Sequence, residues 1–325
     1  MALRSSGDLL ADRRYAYAEA ALAGGDAAAA ADLAEQVLEL QPRFAPAWFL
    51  LGRAREELSR GSTEAGLAEA ARRAYAAALD LDPDDALGAR LHLARLAGGD
   101  PLKAVTPAYV RALFDDYAPR FDRHLVEGLG YRGPALLAQA LGRACADADR
   151  PVAFARTVDL GCGTGLMARA LRDLGPEAAP SIEGVDLSPG MLAKARATGL
   201  YAALTEAELL AHLEGQPEAS ADLVIAADVF VYLGDLAPPL AASRRVLKSD
   251  GLLAFTVQTH SGEGVVLGED ARYAHAEAYI RAAAVGAGLK VALLEPASTR
   301  RDRGTDVPGL IVVLAPRGAS DDAGG

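Results

Sequence analysis

The sequence predicts a doubly wound α/β fold, in which helices cover both faces of a mostly parallel sheet, preceded by an all-helical domain. Three observations support this prediction: apolar runs that alternate with helical patterns beyond residue 101, a glycine-rich turn after the first of those runs, and alanine-rich helical segments before residue 97. A chain of 325 residues is longer than one compact core of about 100–200 residues needs. We therefore expect domains at residues 1–100 and 101–317, followed by a disordered tail at 318–325.

The first of these domains alternates helical patterns with short glycine or proline breaks. Two helical segments end alike, in VLELQP and ALDLDP. Six residues fit the tetratricopeptide pattern of two closely packed helices ended by a proline: Trp48, Leu51, Gly52, Ala71, Tyr75 and Pro83. We therefore predict a tetratricopeptide-like domain. The spacing from Gly52 to Ala71 is seven residues longer than usual, so a plain helical hairpin stays an alternative.

Charge and cysteine content exclude several classes of protein. The formal net charge of −11 would repel a phosphate backbone over most of the surface, so we expect no nucleic-acid partner. The two cysteines, Cys145 and Cys162, lack the spacing of a metal site or a disulfide framework. The sequence also lacks a signal-peptide core and an apolar run of about 18 residues that could span a membrane. We therefore predict a cytoplasmic protein without a metal site or membrane contact.

Beyond a Gly/Pro linker at residues 98–101, short apolar runs alternate with helical patterns, as in a parallel sheet covered on both faces. We predict six strands, in chain order at residues 156–160, 181–187, 221–229, 251–258, 289–296 and 309–316. The last two are predicted to close the sheet as an antiparallel pair.

The most specific motif is VDLGCGTG at residues 158–165, a strand end followed by a glycine-rich turn into a helix. Glycines allow a nucleotide-like ligand to approach the backbone, and the helix N-terminus offers free N–H groups to an anionic group. A dinucleotide-binding loop reads G-x-G-x-x-G, whereas here the third glycine, Gly165, comes one residue earlier. Asp159 at the head of the turn suits a ligand with ammonium and sulfonium charges and would repel a pyrophosphate.

A second carboxylate follows the next predicted strand. Asp186 lies 25 residues after Gly161, close to the spacing at which an acidic residue binds ribose hydroxyls in doubly wound folds. The alternative is that Asp186 caps the helix that begins near Pro189.

Residues 158–258 resemble the Rossmann-like class I S-adenosylmethionine-dependent methyltransferases, through four blocks in order: VDLGCGTG, GVDLSPGMLAKA, DLVIAADVFVYLGDL and RRVLKSDGLLAFTV. The resemblance implies S-adenosyl-L-methionine as cofactor. It implies that Asp159 and the turn hold the methionine moiety, Asp186 the ribose, and three further residues the adenine, while two lie near the methyl group. The implied cofactor residues are Asp159, Gly161, Cys162, Gly163, Gly165, Asp186, Leu187, Met191, Glu208, Asp228 and Val229.

The tetratricopeptide-like N-terminal domain is followed by YVRALFDDYAPRFDRHLVEGLGYRGP at residues 109–134. This combination looks like the predicted tetratricopeptide-containing methyltransferases known mainly from bacteria. In related enzymes an aromatic entry helix closes over the cofactor. The resemblance therefore makes four residues candidates for a lid, of which Tyr117 is assigned to the cofactor: Tyr109, Phe114, Tyr117 and Phe121. The alternative is an ordinary core stripe at helical spacing. Asp122 and His124 are interpreted as a solvated turn.

The segment after the fourth predicted strand, residues 259–280, is expected to shape the acceptor pocket, because ligands bind at the carboxyl ends of such strands. Candidate catalytic residues are His260, Tyr273 and His275, together with Tyr232. A base is needed only for an unactivated acceptor.

The leading hypothesis is thus a methyltransferase that acts on an O, N or C nucleophile of a small-molecule or protein acceptor, with repeats that bind a protein partner. Two alternatives stay open: an NAD(P)-dependent oxidoreductase, and a non-catalytic tetratricopeptide adaptor with a vestigial cofactor domain.

Overall fold

The chain packs as two compact units, residues 1–112 and 113–325. The structure, a computed structural model, describes residues 5–60, 65–96, 99–122, 130–302 and 304–318. His124 and the part of the predicted tail from residue 319 onward lie outside the described residues. Within the described residues, no helix is both long and apolar enough to cross a membrane.

The first unit is helical, as predicted. Its helices are α1 (Leu9–Ala23), α2 (Ala27–Leu40), α3 (Ala45–Arg60), α4 (Ala65–Leu81) and α5 (Ala89–Arg95). The carboxylate of Asp8 caps α1 by accepting hydrogen bonds from two backbone N–H groups, and that of Asp26 caps α2. Small buried alanines dominate the core between the helices, which lets the helices approach each other closely.

Close packing of α3 on α4 explains the small residue at Gly52. A Cβ atom placed at Gly52 would lie 2.7 Å from two ring carbons of Tyr75. Ala71, one turn before Tyr75 on α4, is fully buried. Two residues of the predicted repeat pattern therefore have packing reasons, while the assignment of these helices to the tetratricopeptide class stays a prediction.

Helix α6 (Pro107–Tyr117) follows along the chain, and the second unit contains the sheet. Its helices are α7 (Gly133–Asp147), α8 (Leu166–Asp173), α9 (Pro189–Ala197), α10 (Leu209–Glu214), α11 (Ala237–Val246) and α12 (Glu277–Gly286). The strands are β1 (Thr157–Leu160), β2 (Ile182–Asp186), β3 (Ala203–Glu206), β4 (Ala221–Ala226), β5 (Leu247–Gln258), β6 (Val265–Leu267), β7 (Tyr273–His275), β8 (Leu289–Ala297), β9 (Arg301–Asp302), β10 (Thr305–Asp306) and β11 (Gly309–Pro316).

The main sheet has the strand order β3-β2-β1-β4-β5-β11-β8. Strands β1 to β5 pair in parallel, whereas β11 is antiparallel to both β5 and β8. All six predicted strands are present, and the predicted antiparallel pair at the end of the chain is confirmed. The chain order reverses beside β1, so the carboxyl ends of β1 and β4 flank a switch point where such sheets bind ligands.

Side chains alternate between two apolar layers along each central strand. Val224 and Phe255 pack on the face covered by α11 and α12, whereas Ile225 and Ala254 pack on the face covered by α7 and α8. Helices therefore cover both faces, and the Rossmann-like, doubly wound architecture is confirmed.

Candidate functional site

The turn between β1 and α8 brings the backbone to the switch point. Gly161 and Gly163 have φ values of 61° and 54°, in the left-handed region that favours glycine. A Cβ atom at Gly161 would lie 2.5 Å from Cγ2 of Val229, whereas one at Gly163 would meet only the Gly161 carbonyl oxygen, at 4.0 Å. Gly161 therefore permits close packing of the turn on the end of β4. Gly163 leaves space open above the backbone.

A pocket of about 320 Å³, counted with the open space at its mouth, lies against this turn. Backbone, carboxylate and aromatic groups share its wall. Its lining residues are Phe121, Tyr131, Pro134, Asp159, Gly161, Cys162, Gly163, Thr164, Leu166, Met167 and Ala227. The wall therefore offers a ligand both polar groups and an apolar surface.

Asp159 places a carboxylate in the pocket wall. The residue is 1% exposed, and its Oδ2 accepts a hydrogen bond of 2.7 Å from the Tyr201 hydroxyl. Burial raises the pKa of the Asp159 carboxyl to about 7, although the Tyr201 hydrogen bond opposes that shift, and the charge of Asp186 adds to it. No Lys, Arg or His among the described residues forms an ion pair with Asp159, so the site is suited to a cation from outside the chain.

Asp186 holds the neighbouring edge of the site. Its Oδ2 accepts a hydrogen bond of 2.9 Å from the Gly163 N–H, and its Oδ1 accepts one of 2.8 Å from the Ser188 N–H. Burial raises the pKa of this carboxyl. Each carboxylate oxygen can accept a further bond, as two vicinal hydroxyls require. The cap of α9 is the Ser188 hydroxyl, which accepts from the Met191 N–H, so the alternative role of Asp186 as that cap is wrong.

Other residues assigned to the cofactor have structural partners. Glu208 caps α10 by accepting a hydrogen bond from the Ala211 N–H. Met191 is 1% exposed and does not line the pocket. Cys162 lines it, and burial raises the pKa of its thiol, which therefore stays protonated. Leu187 directly follows Asp186 in the turn after β2. The adenine contacts of Leu187, Met191 and Glu208 stay predictions.

Asp228 fixes the carboxyl end of β4 beside the pocket residue Ala227. Its φ of 59° is unusual for a residue other than glycine. Its backbone N–H donates to the Thr256 hydroxyl, and its Oδ1 accepts hydrogen bonds from the hydroxyls of Thr256 and Thr299. These contacts hold an otherwise unfavourable conformation, and Val229 then reaches Gly161.

Three aromatic residues from the predicted entry segment lie together at this end of the sheet. Phe114 contacts the Tyr232 ring edge-on with ring centroids 5.5 Å apart, and Phe121 packs on both Phe114 and Tyr117. Phe121 also lines the pocket. Tyr109 packs on Gly88, since a Cβ atom there would lie 2.8 Å from its ring.

Asp122 was expected to lie in a solvated turn, and this prediction is wrong. Its Oδ1 accepts a hydrogen bond of 2.6 Å from the hydroxyl of Thr164, a residue of the glycine-rich turn. Asp122 therefore helps to hold the turn that carries Gly163 and Gly165.

None of the four candidate catalytic residues lines the pocket. His275 is fully buried, its Nε2 bonds to the Leu233 carbonyl, and burial lowers its pKa to about 4. His260 contacts its own loop at Gly262 and Gly264, and Tyr273 is fully buried. The proton-accepting roles of His260, Tyr273 and His275 stay predictions. The catalytic role of Tyr232 also stays a prediction, and its hydroxyl accepts a hydrogen bond of 3.1 Å from Arg272 Nε.

Three residues at the site escaped the sequence analysis: Tyr131, Tyr201 and Arg272. Tyr131 stands in the block at residues 109–134 and Arg272 in the segment at residues 259–280, but neither was assigned a role. The contacts of Tyr201 with Asp159 and of Arg272 with Tyr232 span 42 and 40 residues of chain. Such pairings depend on how the sheet assembles, so local patterns carry no signal for them. No group of His, Cys, Asp or Glu side chains within the described ranges could hold a metal ion.

The sequence around this site is similar to that of known methyltransferases. Residues 158–255 match the family model described as "Methyltransferase domain". Methyltransferase-like protein 27 from Homo sapiens is 36% identical over 150 residues, which are 46% of this chain and 57% of that protein. Aklanonic acid methyltransferase DauC from Streptomyces sp. (strain C5) is 30% identical over 151 residues, 45% of this chain and 64% of the relative.

The chain thus spans less than two thirds of the length of these two relatives. A solved structure, the 1,6-didemethyltoxoflavin-N1-methyltransferase from Burkholderia thailandensis with bound S-adenosylhomocysteine, aligns with a TM-score of 0.47 at 17% identity. The alignment covers 65% of this chain and 89% of the Burkholderia protein's chain.

Proposed function

We propose that this protein, whose residues 158–255 form an S-adenosylmethionine-dependent methyltransferase domain, transfers a methyl group to an O, N or C nucleophile of an acceptor. The observation that supports this most strongly is the buried carboxylate of Asp159, which lacks a cationic partner among the described residues and faces the pocket. Leaving a charge buried and unpaired costs stability, so its presence is best explained by a cationic ligand.

The residues present fit S-adenosylmethionine. Asp159 would hold the ammonium group, the open space above Gly163 would admit the ligand, and Asp186 would accept the ribose hydroxyls. When bound, the cofactor supplies a methyl group on a sulfonium, whose leaving group is a neutral thioether. The chain itself would orient the two substrates and exclude water, with Phe121 and Tyr131 in the wall.

An NAD(P)-dependent oxidoreductase is less well supported by the same site. The carboxylate of Asp159 would repel a pyrophosphate at the glycine-rich turn, whereas Asp186 would suit the ribose of either ligand. A non-catalytic adaptor would retain the cost of burying Asp159 without a ligand to offset it.

We assign acceptor or partner recruitment to the tetratricopeptide-like residues 1–100 and methyl transfer to residues 101–317. Leu9, Leu10 and Tyr17 are exposed on α1, which supports a role for this helix in binding another molecule. Comparing transfer of a labelled methyl group into cell extract by the full chain and by a chain lacking residues 1–100 tests the assignment. Equal transfer to the same acceptors would contradict it.

Thermal unfolding of the full chain with S-adenosylhomocysteine or NAD tests the proposed function. A ligand at 100 times its dissociation constant stabilises a protein by about 2.7 kcal/mol. We expect this effect from S-adenosylhomocysteine alone, and we expect Gly163→Val to abolish it by filling the open space. Gly288→Val is the matched control, because Gly288 also has a positive φ and open space around it, outside the pocket lining. Stabilisation by NAD alone, or undiminished binding in Gly163→Val, would refute the proposal.

A further inference from the structure

Arg272 has guanidinium nitrogens without a hydrogen-bond partner among the described residues. Its Nε donates to the Tyr232 hydroxyl at 3.1 Å, and its Cζ lies 5.5 Å from the centre of the Tyr232 ring. Within the part of the chain that the structure describes, Nη1 and Nη2 have no hydrogen-bond partner. An arginine held by one nitrogen and by stacking on an aromatic ring has a defined orientation, so the remaining two nitrogens present a fork to a ligand.

The carboxylates near Arg272 already have other donors. Asp270 Oδ2 accepts from Arg300 and from the Gln258 amide, both at 3.1 Å. Asp270 Oδ1 accepts a hydrogen bond from the Arg272 backbone N–H. This bond stabilises the loop and does not involve the guanidinium. Asp228 Oδ1 accepts from two threonine hydroxyls. Burial opposes the charged form of Arg272, whereas Tyr232 and the charges of Asp228 and Asp270 favour it and raise the pKa of Arg272. Neither carboxylate forms a direct ion pair with the guanidinium.

A chain of ring contacts and an electrostatic interaction connect Arg272 to the cofactor pocket. Tyr131 lines the pocket, and the pKa of its phenol is raised by burial and by the charges of Asp228 and Asp159, while Arg272 opposes that rise. The Tyr131 phenol thus interacts electrostatically both with the pocket carboxylate of Asp159 and with the Arg272 guanidinium. On the other path, Tyr232 contacts Phe114, and Phe114 contacts the pocket residue Phe121.

We propose that Arg272, positioned by Tyr232, binds a carboxylate of the acceptor, and that the product of the reaction is a methyl ester. This inference rests on the proposed function and names its substrate class. The two free nitrogens match the two oxygens of a carboxylate, and each oxygen keeps a lone pair for the reaction. The positive charge of Arg272 also attracts an anionic acceptor, which the net charge of −11 of the chain would otherwise repel.

The chemistry balances without a proton acceptor. A carboxylate oxygen attacks the methyl carbon, so that an O–C bond forms as the S–C bond breaks. The electron pair of the broken bond stays on sulfur, which becomes a neutral thioether, and the carboxylate charge and the sulfonium charge cancel. Because a carboxylate is already ionised at neutral pH, no base is required. This agrees with the burial of His275 and its bond to the Leu233 carbonyl.

Binding of carboxylate probes to the full chain saturated with S-adenosylhomocysteine tests the inference. The probes are acetate, octanoate and cinnamate, each compared with its amide, which has the same shape and no charge. We expect at least one acid to raise the melting temperature more than its amide, and Arg272→Gln to weaken its binding about 30-fold or more. Arg272→Lys keeps the charge without the fork and should bind at an intermediate level.

Arg301→Gln is the matched control, because Arg301 is exposed and pairs with Asp306. It should bind the acid as the wild type does. The inference fails if no acid exceeds its amide, or if Arg272→Gln binds the acid as well as the wild type. If S-adenosylhomocysteine does not stabilise the wild-type chain, the proposed function is refuted instead.

The bond formed is a second, independent test. Protein incubated with labelled S-adenosylmethionine and cell extract should transfer label that mild alkali releases as volatile methanol, as esters do. Label that stays bound to the acceptor in alkali would overturn the inference and leave the methyltransferase function standing.

Discussion

At the scale of single residues, Asp159 shows how a site can be prepared for a ligand at a cost to the ligand-free protein. Its carboxyl has a pKa of about 7 because it is buried. Between about pH 4 and this value the folded chain holds a proton that the unfolded chain has lost, so the stability of the ligand-free protein falls as pH rises over that window. A bound cation would offset this penalty by pairing with the buried carboxylate.

This gives a prediction for cofactor binding. Because protonation of Asp159 competes with the cation, the affinity for S-adenosylhomocysteine should rise about tenfold from pH 6 to pH 8, as measured by calorimetry. Tyr201→Phe removes the hydrogen bond that lowers the Asp159 pKa, so it should move the midpoint to higher pH. An affinity that stays constant or falls with rising pH would contradict the role of Asp159.

At the scale of elements, one buried carboxylate connects three helices of the first unit. Glu56 on α3 is 5% exposed and accepts hydrogen bonds from the Tyr75 hydroxyl on α4, at 2.6 Å, and from His92 Nδ1 on α5, at 2.7 Å. Burial alone would raise the pKa of Glu56, but the hydrogen bonds from His92 and Tyr75 outweigh burial and hold it at about 2.

We expect this network to stabilise the helical unit. A carboxyl whose pKa is lowered on folding contributes stability above its unfolded value, and the contribution disappears as pH falls from about 4.5 to about 2. At pH 7, Glu56→Gln should lower the free energy of unfolding by about 3 kcal/mol in urea, and the loss should shrink towards pH 3. Glu57→Gln is the control, since Glu57 is exposed and its ion pair among the described residues is with the exposed Arg60. Equal effects of the two variants would contradict the network.

At the scale of the whole molecule, the chain contains two cores of different construction. The helical unit buries mostly alanine, whereas the sheet unit buries larger aliphatic and aromatic side chains in two layers. The residues assigned to the cofactor pocket all belong to the second unit.

Ligand-induced protection should therefore be confined to part of the chain. With saturating S-adenosylhomocysteine, hydrogen exchange in residues 157–190 should slow by up to about 100-fold, because a bound ligand must dissociate before these amides open. Residues 9–60 should exchange at unchanged rates. Similar protection of both segments would contradict the assignment of the ligand to the pocket beside the glycine-rich turn.

Strongly patterned elements could be predicted from the sequence, while weakly patterned ones could not. Six strands carry apolar runs in the sequence, and all six are present, although β8 lies at a sheet edge and only one of its residues, Leu289, is fully buried. Strand β3 was missed because it lies at the sheet edge and three of its four residues are exposed, and β6 and β7 because each has three residues. Among site residues, Asp159, Gly161, Gly163 and Asp186 belong to motifs, and the structure brings them together.

By itself, the sequence determined that a strand, a glycine turn and a helix follow one another, and that carboxylates end two of the strands, because these features depend on local periodicity and steric freedom. Only the tertiary structure decided which distant side chains meet them. Tyr201, just before β3, reaches Asp159 on β1 across Gly184 of β2, and Arg272, just before β7, reaches Tyr232 after β4. Assembly of the sheet brings these residues together although they are far apart along the chain. The burial that shifts the Asp159 pKa has the same origin, because it comes from the packed layers around the sheet.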